Sequence, residues 1–310
     1  SLVYDASGNL YFTESYAVRK ISTTGVLTTI AGTDTSGTNG NGGAATSARL
    51  ETPQALAIDS AGNIYVATGA PEFKIRKITI ATGIITAFAG SGTCDGSPLT
   101  NGSNSTVGFC DPTGMAFDAA NNLYVADKGG SQLFKLSSSG TTGNVNTFGT
   151  PGCEARDVKI APNGDVITIC NSMINRYSAS GTLIATIAGA LNPYANYDLG
   201  AGGPATDAYL SLPSDLAVDA AGNIFVSTVG NRIRRIDASS GIITTVTGNG
   251  ALGFGGDGGP ASAAQISGAR GIAFNSGGIL TFIDQGNYRI RKFVYSPPTA
   301  PTIVSAVGGV

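Results

Sequence analysis

Apolar and polar positions alternate through short stretches of this chain, and one such stretch returns six times. It reads LVYDASGNLYF at 2–12, LAIDSAGNIYV at 56–66, MAFDAANNLYV at 115–125, VKIAPNGDVIT at 158–168, LAVDAAGNIFV at 216–226 and IAFNSGGILT at 272–281. A period of two marks a strand with one covered face. The Asp-x-x-Gly-Asn at its centre supplies a residue for positive φ and a side chain that bonds the turn, so each stretch predicts two strands joined by a tight hairpin. Anchored on Asp5, Asp59, Asp118, Ala161, Asp219 and Asn275, the copies lie 54, 59, 43, 58 and 56 residues apart. That spacing fits one four-stranded unit plus a variable link.

A third strand is expected at Val-Arg-Lys-Ile 18–21, Ile-Arg-Lys-Ile 75–78, Ile-Arg-Arg-Ile 233–236 and Ile-Arg-Lys-Phe 290–293, and a fourth at GIITAFAG 83–90, GTLIATIAG 181–189 and GIITTVTG 241–248. One unit cannot cover its own apolar faces, so the repeats must stack. The expected fold is therefore all-β, a six-bladed β-propeller of four-stranded antiparallel blades spanning residues 1–295. Residues 296–310 form a Pro-rich tail whose TIVSAVGG at 302–309 resembles the fourth strands. Completion of the sixth blade is the first expectation for this tail. Pairing with a neighbouring subunit and the opening of an Ig-like or fibronectin-III-like module are the alternatives.

On these motifs the chain resembles the NHL-repeat β-propellers. Three Gly-rich links, NGGAATSARL at 41–50, AGGPATDAYL at 201–210 and GDGGPASAAQI at 256–266, match the extended form of that repeat. Each is expected to form a compact turn and a short helix capped by Thr or Ser, packed on its blade by Leu50, Leu210 or Ile266. Asp257 is one carboxylate among glycines, far short of a calcium site. The resemblance implies a fold that serves binders and enzymes alike.

Composition narrows the function. The chain has 310 residues, 42% hydrophobic and only 12% charged, with a net charge of −2 and pI near 5.1. Nucleic acid needs a dense basic surface, so no such partner is expected. No apolar stretch reaches the roughly 18 residues that span a bilayer, so no direct membrane insertion of this segment is expected. Ser1 begins on a first strand, and a processed or truncated N-terminus is expected. The four cysteines form two local pairs, Cys94 with Cys110 and Cys153 with Cys170. They lack C-x-x-C spacing and histidine, so two disulfides and an extracellular or cell-surface location are expected, and no metal site. Asn101 and Asn104 begin two adjacent glycosylation sequons.

The chain contains no histidine, which removes Ser-His-Asp and Cys-His nucleophile systems. No catalytic residue is assigned. In propeller geometry the innermost strands place Ala57, Ala116, Ala217 and Ala273 toward the axis, with Lys159 replacing that alanine in the fourth blade. Lys159 is expected within ion-pair reach of Asp157 or Asp215, and Gln54, Arg156 and Arg270 complete a candidate binding mouth for a small anion or sugar; a polar plug is the competing reading. Asp5, Asp59, Asp118 and Asp219 are expected to bond their hairpin turns. The functional expectation is a non-enzymatic extracellular propeller without cofactor. It would bind protein or glycan through its long-loop face and serve adhesion or assembly into a surface structure or fibre, with self-assembly through the C-terminal strand. The alternative is a calcium-dependent hydrolase or lyase acting on a small molecule at the axial channel.

Overall fold

The computed structural model describes residues 1–94, 103–137, 146–148, 152–190, 198–295 and 302–309. They form an all-β, six-bladed β-propeller of four-stranded antiparallel blades. Blade one is β1 to β4 (Leu2–Tyr4, Leu10–Glu14, Ala17–Ile21, Leu27–Ala31), and blade two is β5 to β8 (Pro53–Ile58, Ile64–Thr68, Lys74–Thr79, Ile84–Ala89). Blade three is β9 to β12 (Pro112–Phe117, Leu123–Asp127, Gln132–Leu136, Asn146–Phe148), and blade four is β13 to β16 (Ala155–Ile160, Val166–Cys170, Met173–Tyr177, Leu183–Ala188). Blade five is β17 to β20 (Asp215–Val218, Ile224–Thr228, Arg232–Ile236, Ile243–Thr247), and blade six is β21 to β24 (Ala269–Phe274, Ile279–Asp284, Arg289–Val294, Thr302–Gly309). The tail strand β24 pairs with β23 of the same chain. Residues 296–301, the Pro-rich segment, lie outside the described residues. The chain divides into two compact units, Ser1–Ile160 and Ala161–Val310.

Each blade is a meander, so its links to the next blade share one end with the turn between its second and third strands. We call this the link end, and the other the hairpin end. At the hairpin end Asp5 Oδ1 accepts from Asn9 N at 2.8 Å, and Asp59, Asp118 and Asp219 take Asn63 N, Asn122 N and Asn223 N at the same distance. The turn needs a left-handed residue, supplied by Gly62 and Gly222 at φ +82° and by Asn121 at +59° in blade three. Asparagine is the residue that tolerates αL with least cost after glycine.

The core lies between blades. In the first unit Leu50, Leu56, Ile64, Val66 and Ile78 form one cluster, and Tyr65, Val107, Phe109, Leu123 and Phe134 another. In the second unit Leu216, Val226, Ile236 and Ile243 form one, and Phe225, Ile266, Phe282 and Phe293 another. Removing such surface from water at about 25 cal/mol per Å² is what drives stacking of otherwise half-covered sheets.

The three Gly-rich links form short 3₁₀ turns at Ala45–Ser47, Ala205–Asp207 and Ala261–Ala263. The expected Thr or Ser caps are absent: the capping positions are Ala44, Pro204 and Pro260, with no side-chain cap. Hydrogen bonds to the following blade take their place, such as Gly42 N to Ile85 O at 2.7 Å and Gly202 N to Ile243 O at 2.7 Å. Leu50, Leu210 and Ile266 are buried as expected.

Candidate functional site

The charged residues of the third strands divide into two kinds. Where a blade is entered through a Gly-rich link, the arginine of the Ile-Arg-Lys/Arg motif is fully buried: Arg76, Arg234 and Arg291. Arg76 donates Nε to Asn41 Oδ1 at 2.9 Å, Nη1 to Arg49 O at 2.8 Å and Nη2 to Asn39 O at 3.1 Å. Arg291 donates to Asp257 Oδ1 at 2.6 Å, Gln265 O at 2.7 Å and Gly255 O at 3.0 Å, and reaches Asp284 Oδ2 at 3.2 Å. Arg76 and Arg291 fasten their links to the blade, with Asp257 spent on the Arg291 bond, whereas Arg234 makes a single long contact to Leu199 O at 3.5 Å. Blades three and four, entered without the motif, carry Phe134 and Asn175 at the same position.

The second unit displays an apolar set at its link end. Leu199, Leu212, Val229, Leu252, Phe254 and Tyr288 are all exposed there, Leu252 at 71% and Tyr288 at 76%. They sit on clamped backbone: Val229 N bonds Ser211 O at 3.0 Å, Asn287 Nδ2 bonds Gly253 O at 2.8 Å, and the Arg289 guanidinium lies 3.8 Å from the Phe254 ring centroid. Sequence reasoning placed the long loops together but missed these side chains. The available signal was apolar residues inside polar, Gly-rich links.

The residues expected at a channel mouth are placed as follows. Lys159 Nζ bonds Asp157 Oδ2 at 2.6 Å, and Asp157 is buried. Arg156 pairs with Glu154 at 2.7 Å while its Nε is buried without a hydrogen-bond partner. Gln54 stands on β5 with Oε1 buried and also unpartnered. Asp215 and Arg270 belong to the second unit, half-buried on β17 and exposed on β21. Asn104 is a correction: it is fully buried and donates Nδ2 to Ser137 O at 3.4 Å, so it presents no accessible amide for a glycan. Asn101 lies outside the described residues. Cys94 and Cys110 are disulfide-bonded, Cys153 and Cys170 are also in disulfide linkage, and no cysteine is free, so the chain has two disulfides.

The hairpin aspartates are committed locally. Burial alone would push the Asp5 and Asp59 carboxyls up, but the bonds from Asn9 and Asn63 outweigh it and hold both below the usual carboxylate range. Each also meets a tyrosine hydroxyl, Tyr11 at 3.2 Å and Tyr65 at 3.3 Å, and Asp118 meets Tyr124 at 3.4 Å. Burial and the Asp5 charge push Tyr11 up to about 12. Among the described residues no group of three or more His, Cys, Asp or Glu could hold a metal.

A cavity of about 630 Å³ opens at the hairpin end between blades four and five, wholly within the second unit. Ile167, Ile187, Ile224 and Ile236 line it, with Arg176 and Asp237 at its walls. Arg176 is paired with Asp165, donating Nε at 2.5 Å. Bonds from Ser239, Ser240 and Arg235 hold the Asp237 carboxyl far below the usual range.

The family model of the NHL repeat matches residues 109–136, so the chain carries an NHL repeat in a six-bladed propeller. No curated protein matches the chain. Several solved structures share the fold. A catalytically inactive histidine-to-alanine variant of virginiamycin B lyase from Staphylococcus aureus, with quinupristin, is 16% identical at TM-score 0.58, covering 98% of this chain and 82% of that one. An auxiliary nutrient binding protein from Bacteroides thetaiotaomicron is 16% identical at 0.67, covering 94% and 67%. A chain of a nidogen/laminin complex is 13% identical at 0.63, covering 96% and 92%. At these identities the likeness is one of fold.

Proposed function

We propose that this chain is a non-enzymatic interaction module acting outside the cell, which binds a protein partner through the link end of its second unit. The observation that carries this reading is the exposed set Leu199, Leu212, Val229, Leu252, Phe254 and Tyr288 at one end of the blades, with Leu252 and Phe254 on the link that Arg291 fastens. Clustered exposed apolar side chains mark interaction surfaces, and aromatic, leucine and arginine side chains on pre-organised backbone are what interface centres are made of. Two disulfides fit an oxidising compartment, and among the described residues no helix is long and apolar enough to cross a membrane. The fold shared with a chain of a nidogen/laminin complex supports a protein-binding role. The lyase of the same fold has a histidine whose replacement leaves it inactive, and this chain has no histidine to serve such a step.

The test is a binding screen of the intact protein against panels of extracellular proteins and of glycans, run beside a Leu252→Ser/Phe254→Ser/Tyr288→Ser variant. Protein hits that disappear in the variant, with the melting temperature unchanged, support the reading. Hits on glycans alone, or hits indifferent to the triple substitution, remove it. A parallel assay with lactones and esters, with calcium and with chelator, covers the enzymatic alternative: calcium-dependent turnover would replace the binding reading.

A further inference from the structure

The cavity between blades four and five lies where blade four lacks an aromatic that four of the other five blades carry; blade six, with Thr281 at the matching position, lacks it too. In blades one, two, three and five the second residue of the second strand is a buried aromatic: Tyr11, Tyr65, Tyr124 and Phe225. Tyr65 packs edge-on to Phe88 and to Phe117 of the next blade, both at 4.8 Å between centroids, and Phe225 does the same with Phe274 at 4.8 Å and Tyr295 at 5.2 Å. A cation covers each tyrosine from the paired position of the third strand: Lys20 at 5.6 Å, Lys77 at 5.3 Å and Lys135 at 5.0 Å from the ring centroid. In blade four the positions matching Tyr65, Phe88 and Phe117 are Ile167, Ile187 and Val218, and the residue paired with Ile167 is Arg176. Compared with blade two, three rings are thus replaced by branched aliphatics under a cation that stays. The space that rings fill beside blades two and five is left open here, with a volume in the range of small-molecule sites.

We propose that this cavity binds a small uncharged aromatic molecule, a phenol of one or two rings, seated on Ile167 and Ile187 beneath the Arg176 guanidinium. A guanidinium plane stacks on an aromatic face more readily than an ammonium. Charge at the site is already balanced, Arg176 by Asp165 and Asp237 by Arg235. A charged ligand would find no free counter-ion, whereas a neutral ring breaks no ion pair. The polar rim suits a hydroxyl. Thr186 spends its own hydrogen on Asn175 Oδ1 at 2.9 Å and is left as an acceptor facing the cavity. In the sister blades the phenol oxygen meets an aspartate; the residue at that place in blade four is Ala161, so the ligand's hydroxyl takes its partner from Thr186, Thr206 or Ser240. This inference uses the opposite end of the blades from the proposed protein surface and stands apart from it.

The test is calorimetric titration of the intact protein with 2-naphthol, 2-naphthoate, cyclohexanol and N-acetyltyrosinamide. 2-Naphthol is expected to bind, at least about tenfold more tightly than 2-naphthoate or cyclohexanol. The Ala161→Asp/Ile167→Tyr variant rebuilds the sister-blade set and fills the slot. It is expected to weaken 2-naphthol binding by at least about tenfold without lowering the melting temperature. Ile187→Phe fills the slot from the outer strand and gives the same reading should the double variant fold poorly. Arg176→Gln is expected to weaken 2-naphthol several-fold. The proposal falls if wild type binds none of the four, if cyclohexanol binds as well as 2-naphthol, or if the filled variants bind unchanged. Tighter binding of N-acetyltyrosinamide than of 2-naphthol would assign the slot to a partner's tyrosine and overturn the free-ligand reading.

Discussion

Replacing Ala201 with aspartate is expected to stabilise the protein, because it gives Arg234 the partner that its two counterparts possess. Aligned on Gly-Gly, position 41 is Asn, position 201 Ala and position 257 Asp. Asn41 and Asp257 accept from Nε of Arg76 and Arg291. Arg234 has one long contact, Nη2 to Leu199 O at 3.5 Å, and its Nε and Nη1 are buried without a hydrogen-bond partner. Asp198 offers charge nearby, but its oxygens already take Ser211 N at 2.9 Å and Thr228 Oγ1 at 2.5 Å. An unmade bond to a buried charged group costs about 1–3 kcal/mol. Asp257 is 29% exposed in its pair, so solvent screening discounts the gain, and ordering a new side chain removes a few tenths more. The net expectation is about 1 kcal/mol, or roughly 2 °C in melting temperature for a chain of this length. Urea and thermal unfolding at pH 7 measure it, with Ala201→Asn as the uncharged control and Arg234→Met as the background in which the gain must disappear. The aspartate's gain should fade as pH falls below about 4 while the asparagine's persists. An unchanged or lowered stability for both substitutions in an intact fold would refute the reasoning.

Asp237→Asn should lower stability at neutral pH: the folded carboxyl is held down by Ser239, Ser240 and Arg235, so its contribution is present above the ordinary carboxylate pKa and lost as pH falls through the lower folded value. The gap between wild type and variant in urea unfolding should therefore narrow below about pH 4. Replacing Cys94 and Cys110 together by alanine opens a loop of sequence separation 16 and should cost about 3 kcal/mol, read by chemical unfolding. Deleting 302–310 uncovers β23, which β24 pairs in this chain; the melting temperature should drop by roughly 5 °C or more, whereas loss of assembly in sedimentation with unchanged melting would show that the strand serves a neighbour.

The hairpins were legible because their signal is local. Asp, Gly and Asn within five residues define the turn, and Asp59 to Asn63 shows the bond that the pattern predicts. Leu50, Leu210 and Ile266 were legible because each ends a repeated cassette. The burial of Arg76 was not. Its partners Asn39 and Arg49 lie 37 and 27 residues away, and within Ile-Arg-Lys-Ile nothing separates a covered arginine from a half-buried lysine until the link folds over the strand. The burial of Asn104 escaped for a similar reason, since the backbone it bonds, at Ser137, belongs to another strand's end. The interblade cavity needed three positions from three strands to be compared with their counterparts at once.

Because the blades repeat, each serves as a control for the others, and blade four shows which parts of the pattern the turn requires. Its hairpin keeps the backbone bond, Ala161 N to Asp165 O at 2.8 Å, and keeps Gly164 at φ +87°. It lacks the leading aspartate, so that carboxylate supports the turn without being necessary to it. The acid stands instead at the last hairpin position, where Asp165 accepts from Asn163 Nδ2 at 2.7 Å and pairs with Arg176. Moving one carboxylate by four residues therefore does two things. It withdraws the acceptor that would meet a tyrosine hydroxyl at position 167, and it anchors a planar cation over the place such a ring would fill. A blade that had simply lost its aromatic would leave a lysine free to bend into the gap; here the guanidinium is held at the rim and the gap stays open.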